Sequence, residues 1–223
     1  MMMNKIHRLW DVLNFKTIYF NFHYLPFSQA IKFPILISRH CRIRKAQGSI
    51  RIESPVRFGM ISIGRDGVGI FDNKRSRSIW QVAGTVVFEG DATIGHGCKI
   101  SVEGGGFLRF GKKFACTAES SIAAIKSIVF GENCLLSWDI LIMDTDWHKI
   151  LNADHTIINP PQPVTIGNHV WIGCRTTILK GVTIADNSVI AAGSIVTKSV
   201  SLPNTISGGM PCKTIKKEIT WEQ

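Results

Sequence analysis

A six-residue repeat is the feature that most constrains how this chain of 223 residues folds. From Val164 onward, a β-branched aliphatic residue occupies the third position of every six-residue block, and the next residue is usually small. These third positions are Ile166, Ile172, Ile178, Ile184, Ile190 and Val196. An α-helix repeats every 3.6 residues and a β-strand every two, so neither element alone predicts this spacing.

A solenoid of short parallel strands does predict a spacing of six. Three blocks form one triangular coil of about 18 residues, with the aliphatic side chain inside the prism and the small residue at a corner. Weaker copies of the step occur upstream, at Val82, Phe88, Ile94 and Ile100. A different parallel sheet would need all these positions to coincide by chance. We therefore expect an all-β, parallel β-helix at residues 41–205, an aromatic and basic cap at 1–40 and a basic tail at 206–223.

Composition narrows the class of protein. With 26 Lys and Arg against 16 Asp and Glu, the formal charge is +10, which favours an anionic ligand or surface. No apolar run reaches the roughly 18 residues of a membrane span, and the start lacks the apolar core of a signal peptide. The six cysteines form no CxxC pair, so we expect reduced thiols and a cytoplasmic protein. No nucleic-acid-binding motif is present.

The segment 9–37 is rich in aromatic residues interleaved with lysine, asparagine and histidine. Pro26 and Pro34 limit any helix there to short pieces. An open solenoid must cover its first coil, and an aromatic segment suits that purpose. The alternative is peripheral contact with an anionic inner membrane face, because basic and aromatic side chains also suit that interface. The sequence leaves both interpretations open.

The repeats at roughly 80–217 resemble those of the hexapeptide-repeat acyltransferases. Within that family, the C-terminal part is most similar to galactoside and maltose O-acetyltransferases and to O-acetyltransferases of capsular or lipopolysaccharide sugars. The resemblance implies a left-handed parallel β-helix and a homotrimer with active sites at subunit interfaces. It also implies acetyl-CoA as acyl donor, a saccharide as acceptor and no metal.

The segment DTDWH stands where the next apolar coil start is due, and it resembles the family segments that carry the catalytic base. The resemblance implies that His148 takes the proton of the acceptor hydroxyl as that hydroxyl attacks the thioester directly. Neutral imidazole suits this chemistry near neutral pH. Asp144 and Asp146 are candidates to orient the imidazole or bind sugar hydroxyls; turn formation is the alternative for both.

Trp171 lies between two inward aliphatics and should point outward, which indicates a subunit interface or a ligand. The resemblance puts it next to the active site. Gly173 and Cys174 follow, and small residues there are expected to leave backbone N–H groups open to the thioester. A covalent role for Cys174 is disfavoured, since the family transfers the acyl group directly.

The segments AAGSIVTK and GMPCKTIK resemble the family motif that contacts coenzyme A. The implied cofactor-binding residues are Ala192, Thr197, Lys198, Lys213 and Lys216. Small residues admit the pantetheine arm and lysines neutralise phosphates; a solvated face is the less favoured alternative for the lysines. An asparagine that the family often uses to hold the acceptor is missing, and Thr117 or Glu119 are the candidates to replace it.

Three other functions stay open at the level of sequence. The acceptor could be the amine of a nucleotide-linked amino sugar or a small molecule, which would make an amide. A zinc carbonic anhydrase shares the solenoid class, but His148, His155 and His169 lack convincing ligand spacing. A scaffold without catalysis is the third alternative.

Overall fold

Backbone hydrogen bonds between successive coils organise the solenoid. The computed structural model describes residues 14–65, 67–72 and 76–222. The described part contains helices α1 (Phe15–Tyr24) and α2 (Phe27–Ala30), followed by short strands. The first half of the strands are β1 (Ile35–Ile37), β2 (Arg42–Ala46), β3 (Ser49–Ile52), β4 (Ile61–Ile63), β5 (Ile79–Val82), β6 (Thr85–Phe88), β7 (Ala92–His96), β8 (Lys99–Val102), β9 (Phe107–Phe110), β10 (Phe114–Ala118) and β11 (Ser121–Ala124). The second half are β12 (Ser127–Phe130), β13 (Leu135–Trp138), β14 (Leu141–Met143), β15 (Val164–Ile166), β16 (Trp171–Ile172), β17 (Thr177–Ile178), β18 (Thr183–Ile184), β19 (Val189–Ile190), β20 (Ile195–Val196), β21 (Thr205–Gly208) and β22 (Lys213–Lys217).

The strands form three parallel sheets, because every third strand pairs with the next one in its own sheet. Among the described residues, sheet 1 has the order β1-β4-β7-β10-β13-β16-β19-β21-β22, sheet 2 has β2-β5-β8-β11-β14-β17-β20, and sheet 3 has β3-β6-β9-β12-β15-β18. The β21–β22 pair alone is antiparallel among these pairings. The architecture is the left-handed parallel β-helix that the repeat and the resemblance predicted.

The repeated aliphatic residues lie inside the prism, as predicted. All six third-position residues from Ile166 to Val196 are buried. Ile166 is paired in register with Ile184, and Ile172 with Ile190, so each side chain packs on its equivalent one coil along. Upstream, the rings of Phe88 and Phe110 stack with centroids 5.2 Å apart. Aliphatic and aromatic residues thus share one continuous core.

The first position of each block is also buried, which the repeat did not predict. Where that residue is polar, its hydroxyl donates to a nearby carbonyl: Thr176 to Gly173 at 2.7 Å and Ser194 to Ala191 at 2.5 Å. Burial of a hydroxyl is costly unless it is hydrogen-bonded, and these bonds remove that cost. They also fasten the corners of the coil.

Helix α1 covers the free edge of sheet 1 with polar side chains that replace a missing strand. The Asn21 amide donates to the Ile35 carbonyl at 2.7 Å and accepts from the Ile35 N–H at 3.1 Å. Thr17 makes the equivalent pair of bonds with Ile37, each at 3.2 Å. The helix begins after Asn14, whose side chain accepts from two N–H groups of the first turn. The edge strand therefore has no orphaned backbone groups on this side at these two residues.

The predicted cap is therefore helical in part, and strand β1 already begins at Ile35, before the expected boundary at residue 40. Residues 1–13 of the predicted cap lie outside the described residues. The tail after residue 205 continues sheet 1 through β21 and turns back as β22. No helix among the described residues combines the length and apolar character needed to cross a bilayer.

We predict that Asn21→Leu lowers the free energy of unfolding by about 1–3 kcal/mol, because the buried Ile35 N–H and C=O lose their partners. Urea denaturation measures the change. The control is Ser28→Leu at an exposed position of α2, which should change stability by less than about 0.5 kcal/mol. An unchanged midpoint and slope for Asn21→Leu would show that the amide does not secure this edge.

Candidate active site

The His148 segment leaves the solenoid as a loop between β14 and β15. The loop begins at Asp144. The buried carboxylate of this residue accepts hydrogen bonds from the backbone N–H groups of Ile125, Lys126 and Ser127 at 2.9, 2.8 and 2.7 Å. These donors belong to the corner of the preceding coil. The carboxylate therefore holds the loop to that corner, and both of its oxygens are occupied. This placement corrects the expectation that Asp144 binds substrate: its physical role is the capping of buried N–H groups.

Beyond Asp144, the loop folds back as a small hairpin. Leu151 and Ile157 form an antiparallel bridge, and the Ile158 N–H donates to the Ile150 carbonyl at 2.9 Å. At the tip, the Asn152 side chain accepts from two backbone N–H groups. The loop is thus an ordered excursion with its own hydrogen bonds.

Asn159 joins the two arms of the loop, and nothing in the repeat pointed to it. Its amide nitrogen donates to the His148 carbonyl and to Asp146 Oδ2, both at 2.8 Å, and its side-chain oxygen accepts from the Ile150 N–H at 2.6 Å. The backbone on either side of His148 is therefore held in place. The His148 imidazole itself is exposed and makes no hydrogen bond within the described part of the chain.

Lys180, from the following coil, fastens the loop to the solenoid. Its ammonium contacts Asp146 Oδ2 and donates to the Asn159 carbonyl at 3.0 Å. The hydrogen bonds from Lys180 and Asn159 hold the pKa of Asp146 below its ordinary value. Asp146 thus anchors the loop, and no contact joins its carboxylate to the His148 ring. Lys180 and Asn159 were both missed because neither lies near His148 in a recognisable sequence pattern.

The predicted cofactor-binding residues and the His148 loop fall on two different corners of the prism and on the last strand. Thr197 and Lys198 follow β20, on the same corner between sheets 2 and 3 from which the His148 loop departs. Gly173, Cys174 and Ala192 lie on the corner between sheets 1 and 2, while Lys213 and Lys216 are exposed on β22. At about 3.3 Å per residue, one strand and its turn put roughly 15 Å between the two corners. One chain alone therefore does not bring the predicted site residues together.

Gly173 fills a packing role. A Cβ at this position would lie 2.6 Å from the Ala192 nitrogen, so the next coil leaves no room for a side chain. Its N–H donates to the Ile190 carbonyl at 2.8 Å. This corrects the expectation of an open N–H at Gly173, because the inter-coil ladder uses that donor. The N–H of Cys174 has no partner within the described residues, and it lies at a partly exposed corner.

Trp171 points outward from sheet 1, as predicted, and a residue of the same chain packs against its ring. Trp221 from the tail packs at 6.0 Å between ring centroids, and it stacks on His169 at 4.1 Å. The Trp221 indole N–H donates to the His169 carbonyl at 2.9 Å, and that of Trp171 donates to Ser137 at 3.2 Å. The contact with Trp221 was not predicted, because the sequence indicated only a subunit interface or a ligand at Trp171.

Thr117 and Glu119, the two candidates to hold the acceptor in place of the family's asparagine, both make contacts within the chain. The Thr117 hydroxyl donates to the Leu136 carbonyl at 2.9 Å, and Glu119 pairs with Lys99 at 3.1 Å. Burial raises the pKa of Glu119, but hydrogen bonds from Ser76 and Lys99 outweigh it, so the net shift is downward. Among the described residues, no group of three or more His, Cys, Asp or Glu side chains is placed to hold a metal ion.

The coils with their six-residue repeat, the corner glycine and the parallel sheets define a left-handed parallel β-helix. Residues 163–198 match the family model described as bacterial transferase hexapeptide (six repeats). The resemblance to hexapeptide-repeat acyltransferases is therefore confirmed.

Two curated relatives and one solved structure extend the comparison. Galactoside O-acetyltransferase of Escherichia coli (strain K12) is 36% identical over 115 residues, 51% of this chain and 55% of that protein. The putative lipopolysaccharide biosynthesis O-acetyl transferase WbbJ of the same strain is 29% identical over 144 residues, 60% of this chain and 72% of that protein. The polysialic acid O-acetyltransferase OatWY superposes with a TM-score of 0.53 at 26% identity, covering 85% of this chain and 87% of that one. The chain spans about half the length of the galactoside relative.

We predict that Lys180→Met increases amide hydrogen exchange of residues 147–158 about two- to fivefold at neutral pH, because the exposed ion pair with Asp146 is lost. Mass spectrometry measures the ratio to wild type. The control Lys113→Met, at an exposed corner, should leave the loop unchanged.

The effect has a defined pH dependence. The lowered pKa of Asp146 means that the ion pair stabilises the loop above the ordinary aspartate value of 3.8, and that this stabilisation is lost as the pH falls through the lowered value. The ratio of variant to wild type should therefore stay constant down to about pH 4 and approach one below that. A ratio of one at neutral pH would show that Lys180 does not hold the loop.

Proposed function

We propose that the chain is an acetyl-CoA-dependent O-acetyltransferase that transfers an acetyl group to a hydroxyl of a saccharide, with His148 as general base. The observation that carries the proposal is the exposed imidazole of His148 on a loop fastened by Asp144, Asn159 and Lys180. A histidine whose backbone is held in place and whose imidazole has no hydrogen-bond partner within the described residues is suited to proton abstraction. The matched relatives are named as O-acetyltransferases of sugars or polysaccharides, which supports the reaction class.

In the proposed mechanism, His148 accepts the proton of the acceptor hydroxyl while the hydroxyl oxygen attacks the thioester carbonyl. The carbonyl becomes a tetrahedral oxyanion, for which the Cys174 N–H is the candidate donor. Collapse of this intermediate breaks the carbon–sulfur bond and leaves the acetyl ester. The departing thiolate takes the proton from the imidazolium, so the base returns to its neutral form and coenzyme A leaves as a thiol.

The donor is proposed to lie along the last coils. Ala192 and Gly193 are exposed, and a Cβ at Gly193 would meet no atom within 4 Å, so this corner offers open space for the pantetheine arm. Lys213 and Lys216 on β22, and Lys198 and Thr197 beyond β20, are exposed and available to phosphate groups. Trp171 and Asp146 are the proposed contacts of the acceptor.

We further infer that the active form is a homotrimer whose sites lie between copies. Two observations support this inference. The base and the candidate oxyanion donor lie on different corners of one chain, and the loop exposes Trp147, Ile150, Leu151 and Ile158 to solvent at 47–58% of their surface. An apolar cluster of this kind is typical of a protein interface. A second copy beside the loop would cover it and bring its own corner to His148.

A cytoplasmic location completes the proposal. All six cysteines are free, and Cys98 and Cys116 keep a sulfur–sulfur distance of 3.6 Å, longer than a disulfide bond. Free thiols so close together are compatible with a reducing compartment, in which acetyl-CoA is also available.

Release of free thiol from acetyl-CoA tests the reaction class. The purified protein should release thiol in the presence of a saccharide acceptor, and the product should lose its acetyl group in mild base, because only an ester is labile there. A product that is stable in base would be an amide, and the acceptor group would then be an amine and not a hydroxyl. Absence of thiol release with every saccharide, together with no binding of coenzyme A, would contradict the proposal.

We predict that His148→Asn lowers kcat about 10²–10⁴-fold, while the KM for acetyl-CoA changes little, because only proton transfer is removed. The matched control is His155→Asn, an exposed histidine on the same loop with a positive φ that asparagine tolerates. Equal rates for the two variants would exclude His148 as the base.

We predict that Ile150→Ser/Ile158→Ser shifts the protein from trimer to smaller species in analytical ultracentrifugation and lowers activity in parallel. The two substitutions remove the apolar side chains proposed to contact a second copy. Phe15→Ser/Ile18→Ser, another exposed apolar pair on α1, serves as control and should remain trimeric. An unchanged trimer for the loop variant would place the interface elsewhere.

A further inference from the structure

Helix α1 presents a second apolar face that the cap does not need. Thr17, Phe20 and Asn21 are buried against the first coil. On the opposite side, Phe15 and Phe22 expose 80% and 45% of their surface. Ile18 and Tyr19 lie between them in the helical repeat and are also exposed, so the four side chains form one stripe, called here the α1 stripe. A helix that only covers a sheet edge would carry polar residues on this side.

The stripe continues past the end of α1. Phe27 and Ile31, on and after α2, expose 72% and 50% of their surface. Phe22 contacts the rings of Phe27 and Phe33, with centroids 6.1 and 6.0 Å apart, which joins the two parts. The apolar surface therefore spans the N-terminal end of the solenoid. A contiguous exposed apolar surface bordered by polar residues marks an interaction site.

The charge around the stripe is strongly one-sided. Residues 14–52 contain seven of the 26 lysines and arginines and none of the 16 aspartates and glutamates. These basic residues are Lys16, Lys32, Arg39, Arg42, Arg44, Lys45 and Arg51. This one segment thus contributes most of the net charge of +10, so the positive potential is concentrated at one end of the molecule.

The basic residues lie beside the stripe in space. Helix α1 is held along strand β2 by two bonds: the Lys16 ammonium donates to the Cys41 carbonyl at 2.7 Å, and the His23 ring lies 2.6 Å from the Ala46 carbonyl. Strand β2 exposes Arg42 and Arg44 in this region. Strands β1, β2 and β3 are each at the edge of their sheet, so this is the end face of the prism. Aromatic and basic side chains thus share one face.

We propose that the N-terminal end of the solenoid docks on an anionic membrane surface. The α1 stripe would enter the interfacial region, and the surrounding arginines and lysines would face the lipid phosphates. Membrane interfaces favour this combination, because aromatic residues partition at the headgroup level while basic residues are attracted to anionic lipid. The complementary charge favours a lipid surface over an uncharged protein partner. The proposal goes beyond acetyl transfer and does not depend on it.

Assembly would strengthen this contact. In the trimer proposed above, three copies with parallel axes would present three such ends in one plane. Weak contacts that act together bind far more tightly than each alone. The gain in affinity from three copies rests on the proposed trimer, whereas the proposed membrane contact itself rests on the surface of a single chain.

Sedimentation with lipid vesicles tests the proposal on the whole 223-residue chain. We expect at least about tenfold tighter binding to phosphatidylcholine vesicles that contain phosphatidylglycerol than to phosphatidylcholine alone, and weaker binding as the salt concentration rises. Phe15→Ser/Ile18→Ser should lower the affinity for the anionic vesicles by about tenfold or more. Arg42→Gln/Arg44→Gln should lower it by about tenfold.

Two controls separate this surface from general effects. Leu202→Ser removes an exposed aliphatic side chain near the other end of the solenoid, and Lys112→Gln/Lys113→Gln removes the same charge from an exposed corner. Both should bind vesicles as wild type does. Wild-type affinity in Phe15→Ser/Ile18→Ser or in Arg42→Gln/Arg44→Gln, or no binding by wild type, would overturn the proposal. A smaller oligomer for Phe15→Ser/Ile18→Ser would also overturn it, because the α1 stripe would then be a contact between copies. Circular dichroism checks that each variant is folded.

Discussion

The parallel ladder between coils is the constraint on which the rest of the structure depends. A strand of two or three residues makes too few contacts to exist alone, so each one is stable only when the coils on both sides pair with it. The requirement explains why Ile172 packs on Ile190, why Gly173 tolerates no side chain beneath Ala192, and why buried hydroxyls occur at the corners. It also means that any departure from the repeat must be fastened separately.

The loop between β14 and β15 is such a departure. Twenty residues separate Met143 from Val164, and the ladder resumes in register because Asp144 satisfies the corner of the preceding coil. Lys180 then ties the far arm to the following coil. The same groups that protect the ladder therefore also fix the position of His148. Stability and the geometry of the candidate site depend on one set of hydrogen bonds.

The strict spacing of six was enough to predict the solenoid and its inward residues, because burial follows directly from the period. Handedness came from resemblance alone, since no local rule derives it. The expected roles of Asp144 and the Gly173 N–H were corrected by contacts with neighbouring coils. Asn159, Lys180 and Trp221 were missed for the same reason: their partners are 9 to 52 residues away, and the repeat carries no information about such pairs.

Asn21 and Thr17 end the ladder at one side, and the antiparallel strand β22 ends it at the other. Between two such ends, coils can be added or removed without new edge chemistry, since every interior coil presents the same backbone groups to its neighbours. Each coil advances the prism by one strand spacing, about 4.8 Å. Four steps separate β1 from β13 in sheet 1, so the loop departs roughly 20 Å from the helical end. The number of coils therefore sets the distance between the helical end and the loop that carries His148.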